Sequence, residues 1–183
     1  RGSVAGNVAE LHSNFVSLKD TWHHIAVTLK GDSTGVYWKL YVDGNWVPVL
    51  LNQTGNFPSV DDHLGLWHVG NQPNLMNNAP FNGSIDELYL FNKTLTGKDV
   101  ATLYQDGCKY GYCYNFDGVD DIINMSRVLN TMGNMSISLW MNPRSYQSAG
   151  VLVSKVIPSN AGFMARTVDS TGNLDWSIDA TAN

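Results

Sequence analysis

The sequence predicts an all-β protein, a two-sheet antiparallel sandwich with one short helix, and three observations lead there. Apolar residues recur at every second position in one short segment after another, the period of a strand with one face on a core. Clusters of Gly, Pro, Asn and Asp separate these segments at spacings that suit tight connections. Composition agrees: charged residues are 15% of the 183, Trp, Tyr and Phe together reach 11%, and there are 17 Gly, a mix that favours β-rich surface domains over helical ones.

In chain order, "WHHIAVTLK" aligns His23, Ile25, Val27 and Leu29 on one face, "VYWKLYVDG" aligns Trp38, Leu40 and Val42, and "HLGLWHVG" aligns Leu64 and Leu66. "SIDELYLF" follows with Ile85, Tyr89 and Phe91, "MSISLWMNP" with Met135, Ile137, Leu139 and Met141, "GVLVSK" with Val151 and Val153, and "NLDWSID" with Leu174, Trp176 and Ile178. Turns are expected at Asp43-Gly44, Asn82-Gly83, Asp117-Gly118, Pro143 and Ser170 to Asn173. The helix starts at Thr96, a suitable N-cap with Asp99 three residues on; Val100, Leu103 and Tyr104 then share a face, and Gly107 ends the run.

The length favours one sizeable core. A net charge of −5 with 11 unclustered Lys and Arg gives no electrostatic footprint for nucleic acid or anionic lipid. No apolar run approaches the roughly 20 residues that span a bilayer, since the longest, Val47 to Leu51, is broken by Pro48. Residues 1–20 lack the charged start and apolar centre of a signal peptide, so an export signal is expected outside this segment.

Cys108 and Cys113 enclose a four-residue spacer rich in Gly and Tyr. A disulfide here would close a loop of about 6 residues and stabilise by roughly 2 kcal/mol in the chain-entropy view. The other reading, half of a zinc site, lacks a second cysteine pair or a nearby His to complete it. A bridge implies an oxidising compartment. Sequons at Asn52, Asn82, Asn92, Asn124 and Asn134 are candidate glycosylation sites and point the same way.

"TWHHIAVTLKG", "LYVDG" and "FNGSIDELYLFNKTLTGKDVATLY" together resemble the second half of a laminin G-like domain, a member of the concanavalin A-like jelly-roll group. "YNFDGVDDIINMS", "MSISLWMNP" and "GVLVSK" resemble that domain's first half. The resemblance covers nearly the whole chain, but the halves come in permuted order: residues 1–107 match the C-terminal half, 108–113 form a Cys-bounded linker, and 114–183 match the N-terminal half. Reading Asn183 into Arg1 gives a continuous family-like sequence. The chain is then a permuted domain closed on itself, one period of a tandem array, or the back of one jelly roll joined to the front of the next. A half-sandwich left alone would expose an apolar face and raw strand edges, so the halves must meet within or between chains.

Catalysis is not expected. Jelly-roll glycoside hydrolases need two carboxylates about 5 to 10 Å apart across the scissile bond, and the chain has only Glu10 and Glu87 as glutamates. His23 and His24, adjacent on a strand, point to opposite faces and cannot chelate one ion; one is expected at the core edge and one on the surface. The resemblance implies Ca²⁺ at a rim of the sandwich, with Asp86, Asp117, Asp120 and Asp121 as candidate ligands. Trp46, Trp67 and Trp140 are candidate glycan platforms unless two-sheet packing buries them.

Two functions follow. The first is a non-catalytic extracellular structural or adhesive domain, the unit of a surface filament or tandem array in which half jelly rolls of neighbouring copies complement each other head to tail. The second is a carbohydrate-binding, lectin-like module of a secreted protein, with Ca²⁺ as its cofactor. Neither involves nucleic acid or membrane insertion.

Overall fold

A computed structural model describes residues 7–32, 35–54, 66–71, 80–106, 113–125, 134–146, 150–156, 162–168 and 172–180. Among the described residues, thirteen strands and one helix follow one another: β1 (Asn7–Val16), β2 (His23–Asp32), β3 (Gly35–Val42), β4 (Asn45–Val47), β5 (Val49–Thr54), β6 (Trp67–Val69), β7 (Asn82–Phe91), α1 (Gly97–Asp106), β8 (Tyr114–Asp117), β9 (Ile123–Met125), β10 (Asn134–Ser145), β11 (Val151–Val156), β12 (Gly162–Val168) and β13 (Asn173–Ala180). They form two antiparallel sheets. The first runs β5-β1-β13-β12-β11-β6-β9 and the second β4-β3-β2-β10-β7-β8.

Both halves of the chain contribute to both sheets. β1 pairs with β13, β6 with β11 and β9, β2 with β10, and β7 with β10 and β8, so six pairings join a strand before residue 107 to one after 113. The apolar periodicity explains why: Leu11, Trp176, Ala165 and Val153 face inward from the first sheet, and Ile25, Val27, Leu40, Ile137 and Leu139 from the second, all buried in one core. Each half supplies only some strands of each sheet, so neither the ladders nor the core is complete without the other. In this structure they complete each other within one chain.

One expected face is reversed by a bulge. In β7, Ser138 lies opposite Tyr89 and Trp140 opposite Asp86, so Leu139 confronts two residues, Glu87 and Leu88. Glu87 takes φ 46°, which accommodates the extra residue. The insertion flips the alternation: Leu88 and Leu90 pack on the core, while Tyr89 and Phe91, expected there, turn outward. Leu66 is likewise exposed because it precedes β6; Leu64 lies outside the described residues.

Helix α1 begins as expected. Thr96 Oγ1 accepts from Asp99 N at 3.2 Å, while Asp99 Oδ2 accepts from Thr96 N at 2.8 Å and from Thr96 Oγ1 at 2.7 Å, a reciprocal cap. That cap holds the Asp99 carboxyl below its usual range. The segment before it is tied to the outer face of the second sheet: Thr94 Oγ1 donates to Leu29 O at 2.7 Å, and Ser136 Oγ accepts from Leu95 N and donates to Lys93 O, both at 2.8 Å. Leu95 and Val100 then pack on Ala26 and Tyr41. The helix therefore covers part of the sheet's outer face and, among the described residues, leaves the rest uncovered.

Candidate functional site

The Trp-His-His strand and the Asp-Gly hairpin meet at one end of the second sheet. Asp43 and Gly44 both have positive φ, 49° and 76°, as a two-residue turn between right-twisted strands requires. From that turn Asp43 Oδ1 accepts from His24 N and Oδ2 from His23 Nδ1, both at 2.9 Å. Leu18 N donates to His23 Nε2 at 3.2 Å, which places the neutral ring's proton on Nδ1. These two motifs are thus halves of one hydrogen-bonded corner. Replacing Asp43 with Ala removes both bonds and is expected to cost about 2 kcal/mol, measured as a shift of the denaturant midpoint.

His24 departs from expectation. It was to be the surface histidine of the pair, yet it is 1% exposed, because α1 lies over it. Its ring lies 5.4 Å from that of Trp140 and 5.9 Å from that of Tyr104, and its Nε2 meets Ser138 Oγ at 2.8 Å. Burial lowers its pKa from 6.5 to about 4, against the opposing pull of the Asp43 charge. The unfolded chain therefore takes up a proton below pH 6.5 that the folded chain refuses until about pH 4. Stability from this group is present above pH 6.5 and lost as pH falls through that window, by about 2 kcal/mol. His24→Gln should flatten this part of the profile, seen as the difference between wild-type and variant denaturant midpoints at pH 7 and pH 4.5.

The candidate calcium ligands divide. Asp117, Asp120 and Asp121 are exposed, with carboxylate oxygens within 4.8 Å of one another. Asp117 Oδ1 accepts from Val119 N at 2.7 Å and Asp121 Oδ2 from Asp117 N at 2.9 Å, so two of the three also close the turn. Asp86 stands apart. Asp117 pairs with Asn82, four positions back along β7, which is roughly 13 Å at strand spacing. Asp86 instead accepts from Glu87 N through Oδ1 at 2.8 Å and borders a cleft of about 240 Å³, walled by Ile85, Leu88, Phe116, Ile123 and Met125, where the edges of the two sheets part.

The three tryptophans also separate. Trp67 is 0% exposed and belongs to the core, so it offers no sugar platform here. Trp140 is half-buried, stacked on Tyr104 at 5.6 Å, because α1 covers its face of the sheet. Trp46, 60% exposed, presents its ring from β4 beside Tyr41 of β3. On the same outer face Tyr41, Lys39 and Tyr37 alternate along β3, opposite Ala26, Thr28 and Lys30 of β2. The uncovered part of that face, with Thr94 to Gly97 as one wall, is a groove of about 500 Å³. Sequence reasoning missed this groove, because only the docked 93–97 segment makes a wall beside the strands.

Cys113 is a free thiol in the structure, and Cys108, its expected partner, lies outside the described residues. Asn92, Asn124 and Asn134 are exposed, whereas Asn82 is half-buried between β10 and β8; only the backbone of Asn52 is described. Glu10 and Glu87, the two glutamates, lie in different sheets.

The two-sheet antiparallel sandwich is consistent with a concanavalin A-like domain. A laminin G-type family model, described as the concanavalin A-like lectin/glucanases superfamily, matches residues 2–101. The chain belongs to that family. It is also similar to BEACH domain-containing protein B of Arabidopsis thaliana, with 29% identity over 122 residues, covering 57% of this chain and 4% of that protein. The chain thus spans a small part of the length of this curated relative. No solved structure matches the chain.

Proposed function

We propose that the chain is a non-catalytic adhesive domain working outside the cell, one unit of a surface filament or tandem array whose neighbouring copies complement each other. The observation that carries this reading is the set of six pairings between the two halves. Identical pairings can form with the corresponding half of a neighbouring copy, and exchange of identical elements is a low-cost route to assembly. Laminin G-like domains are commonly extracellular and generally non-catalytic. Among the described residues no helix is long and apolar enough to cross a membrane. Electron microscopy and light scattering over a concentration series test the reading. Regular fibres and oligomers that grow with concentration are expected; monomers throughout would overturn it.

A second reading, a carbohydrate-binding module, is favoured by Trp46 standing exposed beside the tyrosines of the outer face. Loss of glycan-array signal in Trp46→Ala, with the thermal midpoint unchanged, would support it. Were Ca²⁺ to serve either role, Asp117, Asp120 and Asp121 would hold it without Asp86; a thermal midpoint indifferent to chelator and to added Ca²⁺ removes it.

A further inference from the structure

The open groove is basic in an acidic protein. Of the 11 Lys and Arg, Lys30 and Lys39 line it, and Lys93 and Lys98 flank its wall in sequence. Lys30 and Lys39 are exposed diagonal neighbours across the β2–β3 ladder, about 7 Å apart at the backbone, and neither makes an ion pair among the described residues. The nearby carboxylate of Asp99 is engaged by Thr96. Between the lysines Tyr37 is 53% exposed.

The complementary feature is the Asp117 to Asp121 turn, three exposed carboxylates with Val119, 63% exposed, at its tip. Within one molecule it cannot reach the groove. Lys30 sits opposite Asn134 at the start of β10, whereas Ser145 at the far end of β10 pairs with Asn82, whose other neighbour is Asp117. That is roughly 35 Å along the strand direction.

We infer that the groove receives the acidic turn of a second copy of this chain, Val119 against the tyrosine rings and the aspartates against Lys30 and Lys39. The two surfaces are different and lie at opposite poles, so the contact is heterologous and repeats head to tail. The inference rests on reading the chain as a repeating unit, and it supplies a contact that does not require exchange of halves.

Sedimentation velocity in chelator at low salt tests it, with two variants: Lys30→Glu/Lys39→Glu, and Asp120→Lys. Asp120 makes none of the hydrogen bonds that close the turn, and both lysines are exposed, so folding, checked by circular dichroism, should persist. Wild-type protein should form chains that grow with concentration, weakening about tenfold or more between 0.05 and 0.5 M salt as the charges are screened. Each variant alone should be monomeric, and an equimolar mixture should stop at a 1:1 dimer, because one keeps its turn and the other its groove. Variants that assemble like wild type would overturn this contact while leaving the repeating unit standing. Variants that stay monomeric even when mixed would also overturn it. Wild-type protein that never assembles, or that stays monomeric and binds an acidic oligosaccharide through Lys39, would overturn both.

Discussion

Trp176→Ala is expected to lower stability by about 3–5 kcal/mol, near the upper end for a core truncation. Trp176 is 0% exposed and lies in β13 between β1 and β12, opposite Leu11 and Ala165. Leu11 belongs to the first half of the chain and Trp176 to the second, so this side chain seals the seam between them. Alanine would leave a cavity on the inner face of a sheet whose neighbours are fixed by ladders on both sides, which limits collapse. Domains of this size have about 5–15 kcal/mol in total, so much of the margin would go. Denaturant titration reads the loss; a cost under about 1 kcal/mol would mean the seam is not packed as described. Trp46→Ala provides the contrast, an exposed ring expected to change stability by no more than about 0.5 kcal/mol.

Gly70→Ala is the second large effect, about 3 kcal/mol. Gly70 has φ 84°, where a side chain is strained, and an added Cβ would fall on the Phe116 ring of the opposite sheet. Backbone relief is blocked, because Gly70 N donates to Leu152 O at 3.0 Å and Gly70 O accepts from Phe81 N at 2.8 Å. Shrinking the neighbour should recover part of the loss, so Gly70→Ala/Phe116→Leu should melt above Gly70→Ala alone. If the double variant melts no higher, the clash with Phe116 is not the cause.

The sandwich was legible because its signal is local. Ile25, Val27 and Leu29, or Ile137 and Leu139, announce a buried face through period-2 spacing, and burial follows in the structure. The helix cap was legible for the same reason, since Thr96 and Asp99 are three residues apart. What failed depended on distant partners. Nothing within "SIDELYLF" marks the bulge that turns Tyr89 outward; it arises where Leu139, some fifty positions later, faces two residues. From the strands alone His24 and Trp140 read as outward-facing, because the helix that covers them comes from residues 97–106. At the candidate sites, the Asp117 to Asp121 cluster was readable from spacing, whereas the separation of Asp86 from it emerges only from the β7–β8 ladder.

The interleaving of early and late strands also dictates when the protein can become safe during its own synthesis. β2 has β3 beside it at once, but its other neighbour, β10, begins only at Asn134. β1 must wait for β13, which ends at Ala180. More than a hundred residues therefore leave the ribosome with greasy surfaces and open ladders, the condition under which slow, long-range β pairing invites premature association. Nascent chains halted before residue 134 should bind chaperones avidly and resist proteases poorly, whereas release of the last strands should end both within one folding event.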